Sequence, residues 1–213
     1  MPKLPAPPGV AALRAIERDT IRLARGTALA RVYFTAGPHP ARWNQFRRYG
    51  PTNARFDHHA PAARGRPVAQ GRSILYCATS AVTCFAEVFQ ETRRIDRVRK
   101  APWLAIFRLE RELELLDLTG AYPTRAGASM AINSGNRVRA RAWASGWYEA
   151  FPDLHGIRYA SSMNANEPAI ALTDRAEKLA PLPAHPEFNR PLADDALLDV
   201  LKHAAARLGY GLL

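Results

Sequence analysis

Four places along this 213-residue chain carry side chains able to do chemistry together. They are Arg31-Val-Tyr33, Asn53-Ala-Arg55-Phe56, Leu75-Tyr76 with Ala86-Glu87 eleven residues on, and Tyr159-Ala-Ser161-Ser162. Guanidinium forks such as Arg31 and Arg55 hold phosphate or carboxylate oxygens through paired donors and a permanent charge. A flat aromatic such as Tyr76, with Tyr33, offers a face for a planar ligand group. A carboxylate such as Glu87 stabilises a developing cation, and the Ser161 hydroxyl orients an amide or phosphate. Taken singly, each has a structural explanation: arginines at strand ends are commonly solvated, strand tyrosines are commonly core, a helix glutamate commonly faces water, and a Ser-Ser pair caps a turn.

Competing signatures are missing. The chain has no Walker loop, GxGxxG, HExxH, GxSxG or paired CxxC. Cys77 and Cys84 sit among apolar neighbours and read as buried thiols, neither zinc ligands nor a disulfide framework. His58 and His59 beside Asp57 suggest a metal, but adjacent histidines in a strand point to opposite faces and no third ligand can be named, so no metal is expected.

The elements that must position these groups follow from periodicity. A Pro-rich start, extended or disordered, precedes apolar residues at helical spacing over 10–25, and 27–35 has strand composition. A polar stretch over 39–72 follows, dense in Trp43, Asn44, Phe46 and the two histidines; a loop of that length is commonly functional, and its aromatics suggest a lid. Residues 73–78 are β-prone, Thr79-Ser80 offers an N-cap, and 81–93 reads as a helix with Glu87 within it. Strands over 103–109 and 113–118, helical stretches over 125–132 and 138–150, two short strands over 157–161 and 169–173, and an amphipathic helix over 194–208 complete the chain. Helices and strands mix without a regular βαβ beat, so the expected class is α+β: a single domain with a mixed, largely antiparallel sheet flanked by helices. An N-terminal extension and helix (1–26) precedes a catalytic domain (27–213).

Thirty Lys and Arg against 19 Asp and Glu give a formal charge of +11, carried almost wholly by arginine. That field favours anionic partners, although Arg-rich composition also accompanies GC-rich coding. The first residues hold no apolar leader and no run has the length of a membrane span, so a cytoplasmic protein without membrane attachment is expected.

In order and spacing, the run ARF…ILYCATS…FAEVF, flanked by Arg31-Val-Tyr33 and Tyr159-Ala-Ser161, resembles the RES family over roughly residues 31–176. That family is named for its Arg, Glu and Ser positions, and many members are toxins paired with an antitoxin. The resemblance implies an ADP-ribosyltransferase-like fold and NAD+ as the substrate consumed. It also implies a catalytic set of Glu87, Arg31 and Tyr76, with Arg31, Tyr33, Arg55, Tyr76 and Ser161 holding NAD+; Ser161 fits the family serine better than Ser162. The residue types agree: arginines for the pyrophosphate, a tyrosine against nicotinamide, and a carboxylate for the oxocarbenium-like ribose left when nicotinamide departs. The expected activity is an NAD+ glycohydrolase or phosphorylase acting as a growth-arresting toxin with a cognate antitoxin; the alternative is a protein ADP-ribosyltransferase built on the same residues. A third reading, an RNA-binding face of Arg137, Arg139 and Arg141 with Trp143 and Trp147, is weakened because Arg139 leaves the shared helix face. Spare apolar residues at the C-terminus allow a homo-oligomer or packing back on the core.

Overall fold

The computed structural model describes residues 4–61 and 65–213. Eleven strands and six α-helices follow one another as α1 (Val10–Ala15), β1 (Thr20–Leu23), β2 (Ala28–Phe34), β3 (Arg47–Gly50), β4 (Val68–Ala78), α2 (Ala81–Val88), β5 (Arg94–Ile95), β6 (Pro102–Arg108), β7 (Leu113–Asp117), α3 (Tyr122–Arg125), α4 (Arg137–Ala150), β8 (Gly156–Ala160), β9 (Pro168–Thr173), α5 (Asp174–Lys178), β10 (Phe188–Pro191), α6 (Leu198–Leu208) and β11 (Gly211–Leu212). Nine strands form one sheet in the order β1-β7-β8-β9-β4-β2-β6-β10, with β3 beside β4. Every neighbour pair in it is antiparallel except β7 with β8. The class is the expected α+β with a mixed, largely antiparallel sheet.

Period-two alternation assigns the two faces of the sheet. Leu29 and Tyr33 of β2, Leu75 and Cys77 of β4, and Ile170 and Leu172 of β9 share one apolar cluster, closed by Trp43 and Phe46 from the loop after β2. Their neighbours in sequence face the helices. On one half of that side α4 lays Trp143 and Trp147 over Leu116, Ile157 and Ala171. On the other half Phe85 and Phe89, from α2 and the residue that caps it, join Leu201 of α6 over Val32 and Leu104.

Several expectations shift. The helix expected over 10–25 stops at Ala15, and Thr20–Leu23 is a strand paired with β7, so the sheet begins within the segment assigned to an extension. Its apolar residues fit either period, and pairing to a buried strand decides. The Pro-rich residues from Leu4 to Gly9 form neither helix nor strand, with Leu4 buried, while 1–3 lie outside the described residues. The 39–72 stretch contains β3 and the first half of an eleven-residue β4, and its residues 62–64 are not described. α2 is capped by the Ser80 hydroxyl, which accepts from the Thr83 amide at 3.1 Å, but ends five residues early. Helix over 125–132 resolves into the short α3 and a 3-10 turn at Met130–Ile132. At the C-terminus β11 pairs with β5, so the end of the chain packs back on the fold. Among the described residues no helix is long and apolar enough to cross a membrane.

The loop joining β3 to β4 is fastened by a buried carboxylate. Asp57 accepts from the Thr52 amide and hydroxyl at 2.7 and 2.8 Å, from Arg47 Nη2 at 2.9 Å, and from the His59 amide and Nδ1. Burial by itself would raise its pKa, but His59, Arg47 and Thr52 together hold it well below the usual carboxylate range. His59 in turn packs on Gly50, where a Cβ would stand 2.5 Å from the imidazole Cγ. Because the folded pKa is depressed, Asp57 stabilises the fold fully above its unfolded value of about 3.9 and loses that contribution as pH falls through the folded value. Asp57→Ala should cost roughly 3–5 kcal/mol in denaturant unfolding, because it strands buried partners, and should flatten the acid limb of the stability profile.

Candidate active site

The cleft arises from the way β4 shares its edge. Against β9 it pairs continuously from Ile74 to Ala78. On the other edge it meets β2 at a single pair, Ala30 with Ala78, and β3 from Ile74 outward. Leu75–Cys77 on β4, and Arg31–Phe34 on β2, therefore lack strand partners on the sides that diverge. Between them lies a cleft of about 740 Å³, a volume suited to a nucleotide-sized ligand.

Glu87 reaches this cleft from the last turn of α2. Its Oε1 accepts a 2.5 Å hydrogen bond from the Ser161 hydroxyl, which comes from the turn after β8. Burial raises the Glu87 pKa above 4.5, and Ser161, Arg55 and Arg137 oppose the rise in that order. The carboxylate is thus desolvated yet held by donors, the condition under which its charge acts strongly on a nearby cation.

Arg31 forms the opposite wall. Its side chain is buried, and Nη1 donates to the carbonyls of Trp43 and Gln45 at 2.9 and 3.0 Å. Burial brings its pKa down to about 10, so it remains a cation at neutral pH. Arg31 therefore both lines the cleft and braces the loop after β2. Arg55 donates through Nη1 to the Gly135 carbonyl at 2.7 Å and to that of Ile132 at 3.4 Å, which ties it to the entrance of α4. Tyr76 also lines the cleft; its hydroxyl is buried near the Phe56 amide without a formed hydrogen bond, and burial pushes its pKa far up. The Tyr33 hydroxyl lies 2.8 Å from Asn189 Oδ1, to which it donates, while the residue still lines the cleft. Among the described lining residues five are arginines (31, 47, 48, 55 and 137) and Glu87 is the single acid, so the site favours an anionic ligand.

Five of the six expected residues line this one cleft. The sixth, Ser161, stands behind it, wholly buried with its hydroxyl committed to Glu87, while Ser162 forms the lining. Its contact is with the carboxylate and not with the cleft: residue 161 lies just past β8, in a turn whose Asn164 and Asn166 amides donate to its carbonyl. The lid reading of Trp43 and Phe46 fails: both rings are buried, Trp43 against Phe107 at 5.4 Å, and what reaches the cleft from this segment is Pro38–Ala41 and Gln45. The RNA-binding face loses its aromatic half, since Trp143 and Trp147 are core. His58 and His59 are buried against Asp174 and Asp57 respectively, and the described residues contain no group of three or more metal-ligating side chains. Cys77 and Cys84 are buried free thiols.

Sequence reasoning did not single out Arg47, and it read Arg137 as part of an RNA-binding face and not as a cleft residue. Arg47 is carried by β3, inside a stretch expected to be loop. Arg137 directly follows the N-cap Asn136, whose side chain accepts from the amides of Val138 and Arg139, and this capping signal would have marked it as a helix-start residue.

The sequence model of the RES domain matches residues 20–195. No curated protein matches the sequence. Among solved structures the fold is similar to a chain in the crystal structure of the M. tuberculosis MbcT-MbcA toxin-antitoxin complex, with a TM-score of 0.60 and 16% identity, covering 92% of this chain and 96% of that one.

The raised Glu87 pKa has a sign that can be checked. The carboxyl should titrate above 4.5 in a carbon-detected NMR titration, and Ser161→Ala, which removes the largest opposing influence, should move the midpoint higher still. A raised folded pKa also means that ionised Glu87 costs stability at neutral pH, so Glu87→Gln should unfold no earlier than the parent protein.

Proposed function

The chain belongs to the RES-domain family, and we propose that it binds NAD+ in the cleft between β2, β4 and α2 and cleaves the nicotinamide–ribose bond. The observation that carries this reading is Glu87: a desolvated carboxylate, held by Ser161, facing a cleft in which every other charged lining residue is an arginine and several tyrosines take part. Arg55 and Arg31 are suited to the pyrophosphate, and Tyr76 with Tyr33 to the planar nicotinamide. As the C1′–N bond breaks, its electron pair leaves with nicotinamide, which departs neutral, and the positive charge moves to the ribosyl carbon and ring oxygen. Glu87 stabilises that cation and accepts a hydrogen bond from a ribose hydroxyl. Water or phosphate then bonds to C1′; with water the proton passes to solvent.

Glu87 acts here as a fixed negative charge, so Ser161 is a positioning residue that keeps the carboxylate ionised and aimed. A protein side chain as acceptor would use the same groups, and the products distinguish that case. The similar fold is that of a chain from a toxin–antitoxin complex, which supports a toxin role with a cognate antitoxin as partner.

Incubation with NAD+, with and without phosphate and with a protein acceptor, should release nicotinamide, and the ribosyl product identifies the acceptor. Glu87→Gln should lower turnover roughly 10²- to 10³-fold while the fold is retained. Activity should fall as pH drops through the raised Glu87 value, with the limb displaced to higher pH in Ser161→Ala. Nicotinamide release unaffected by Glu87→Gln would overturn the assignment.

A further inference from the structure

Arg137 opens α4 at the side of the cleft, where its side chain is only a quarter exposed. Nη2 donates to Gln90 Oε1 at 2.8 Å, and Nη1 to Glu91 Oε1 at 3.0 Å and to the Asn53 carbonyl at 3.4 Å. Gln90 and Glu91 belong to the turn that follows α2, and Gln90 is itself anchored by donating to the Glu87 carbonyl at 2.6 Å. Arg137 is close enough to Arg55 and Glu87 for its charge to lower the pKa of both. Arg55, tied to Gly135, and Arg137, two residues further on, thus flank one corner of the cleft with two cations.

The partner that neutralises Arg137 is poor. The Glu91 side chain is 73% exposed, so the ion pair is screened and contributes little to stability. A phosphate oxygen entering the cleft beside Arg55 meets the same guanidinium in a less solvated place, where a charge-assisted hydrogen bond is stronger. Gln90 stays in place through either pairing, since its contact is independent of Glu91.

We propose that Arg137 is a further substrate-binding residue, exchanging its ion pair with Glu91 for the pyrophosphate oxygens of the dinucleotide. Glu91 then acts as an internal competitor for that guanidinium. This assignment rests on the reading of the cleft as an NAD+ site.

The test is calorimetric titration of the full chain with ADP-ribose, which carries the pyrophosphate but no nicotinamide bond to break. Arg137→Gln should weaken binding roughly tenfold, the loss of a hydrogen bond to a charged group, and Arg137→Lys should weaken it less. Glu91→Gln should tighten binding about two- to fivefold, the release of one exposed ion pair. Arg139→Gln removes the same charge from an exposed position and should change binding little. Thermal unfolding of each variant shows that the comparison is between folded proteins. Unaltered binding in both Arg137 variants, or weaker binding in Glu91→Gln, overturns the proposal while leaving the NAD+ site intact. Failure of the parent protein to bind ADP-ribose overturns both.

Discussion

One edge of β4 serves two partners, and the site exists because neither fills it. β2 holds that edge only at Ala30–Ala78, and β3 takes it from Ile74 outward. A strand pair continued from Ala78 would bring Ile74–Cys77 against Arg31–Phe34 and close the cleft. The divergence leaves backbone and side chains of both strands facing one space, with α2 following directly from β4 to bring Glu87 to it. A two-residue connection between β4 and α2 fixes where that carboxylate can stand.

Holding two strands apart requires polar groups in places that would otherwise be apolar. Arg31 fills part of the gap and is paired with loop carbonyls instead of a carboxylate, which leaves its charge directed at the cleft. Asp57 does the converse on the far side, gathering Arg47, Thr52 and His59 so that the segment carrying Arg55 follows one path. Glu87 bears the opposite strain: burial disfavours its charge, and Ser161, Arg55 and Arg137 only oppose that effect.

The order Arg31, Arg55, Tyr76, Glu87 stood out through its resemblance to the RES pattern, each residue alone reading equally well as a surface or core group, and the fold brings all four to one cleft. What misled was reading a role from residue type alone. Ser161 is a hydroxyl in the expected place, yet in the turn after β8 it meets Glu87 and leaves Ser162 to line the cleft. Trp43 is an aromatic in a long loop, yet its ring seals the face of the sheet opposite the helices. Helical spacing separates Arg139 from Arg137 and Arg141, but only the position of the turn after α2 gives Arg137 its place at the cleft.

The fold class, the α2 cap, most strands and the chemical character of the cleft followed from local chemistry, since alternation, capping and residue type act over a few neighbours. The segment from Thr20 to Leu23 did not, because four residues with two apolar side chains satisfy either period until β7 offers a partner. Nor did the forked edge of β4, the brace on Arg31, or the pairing of Ser161 with Glu87 across 74 residues of chain. Those depend on which distant groups meet after burial, and the free energy of burial decides that through the whole sheet at once rather than through any stretch of it.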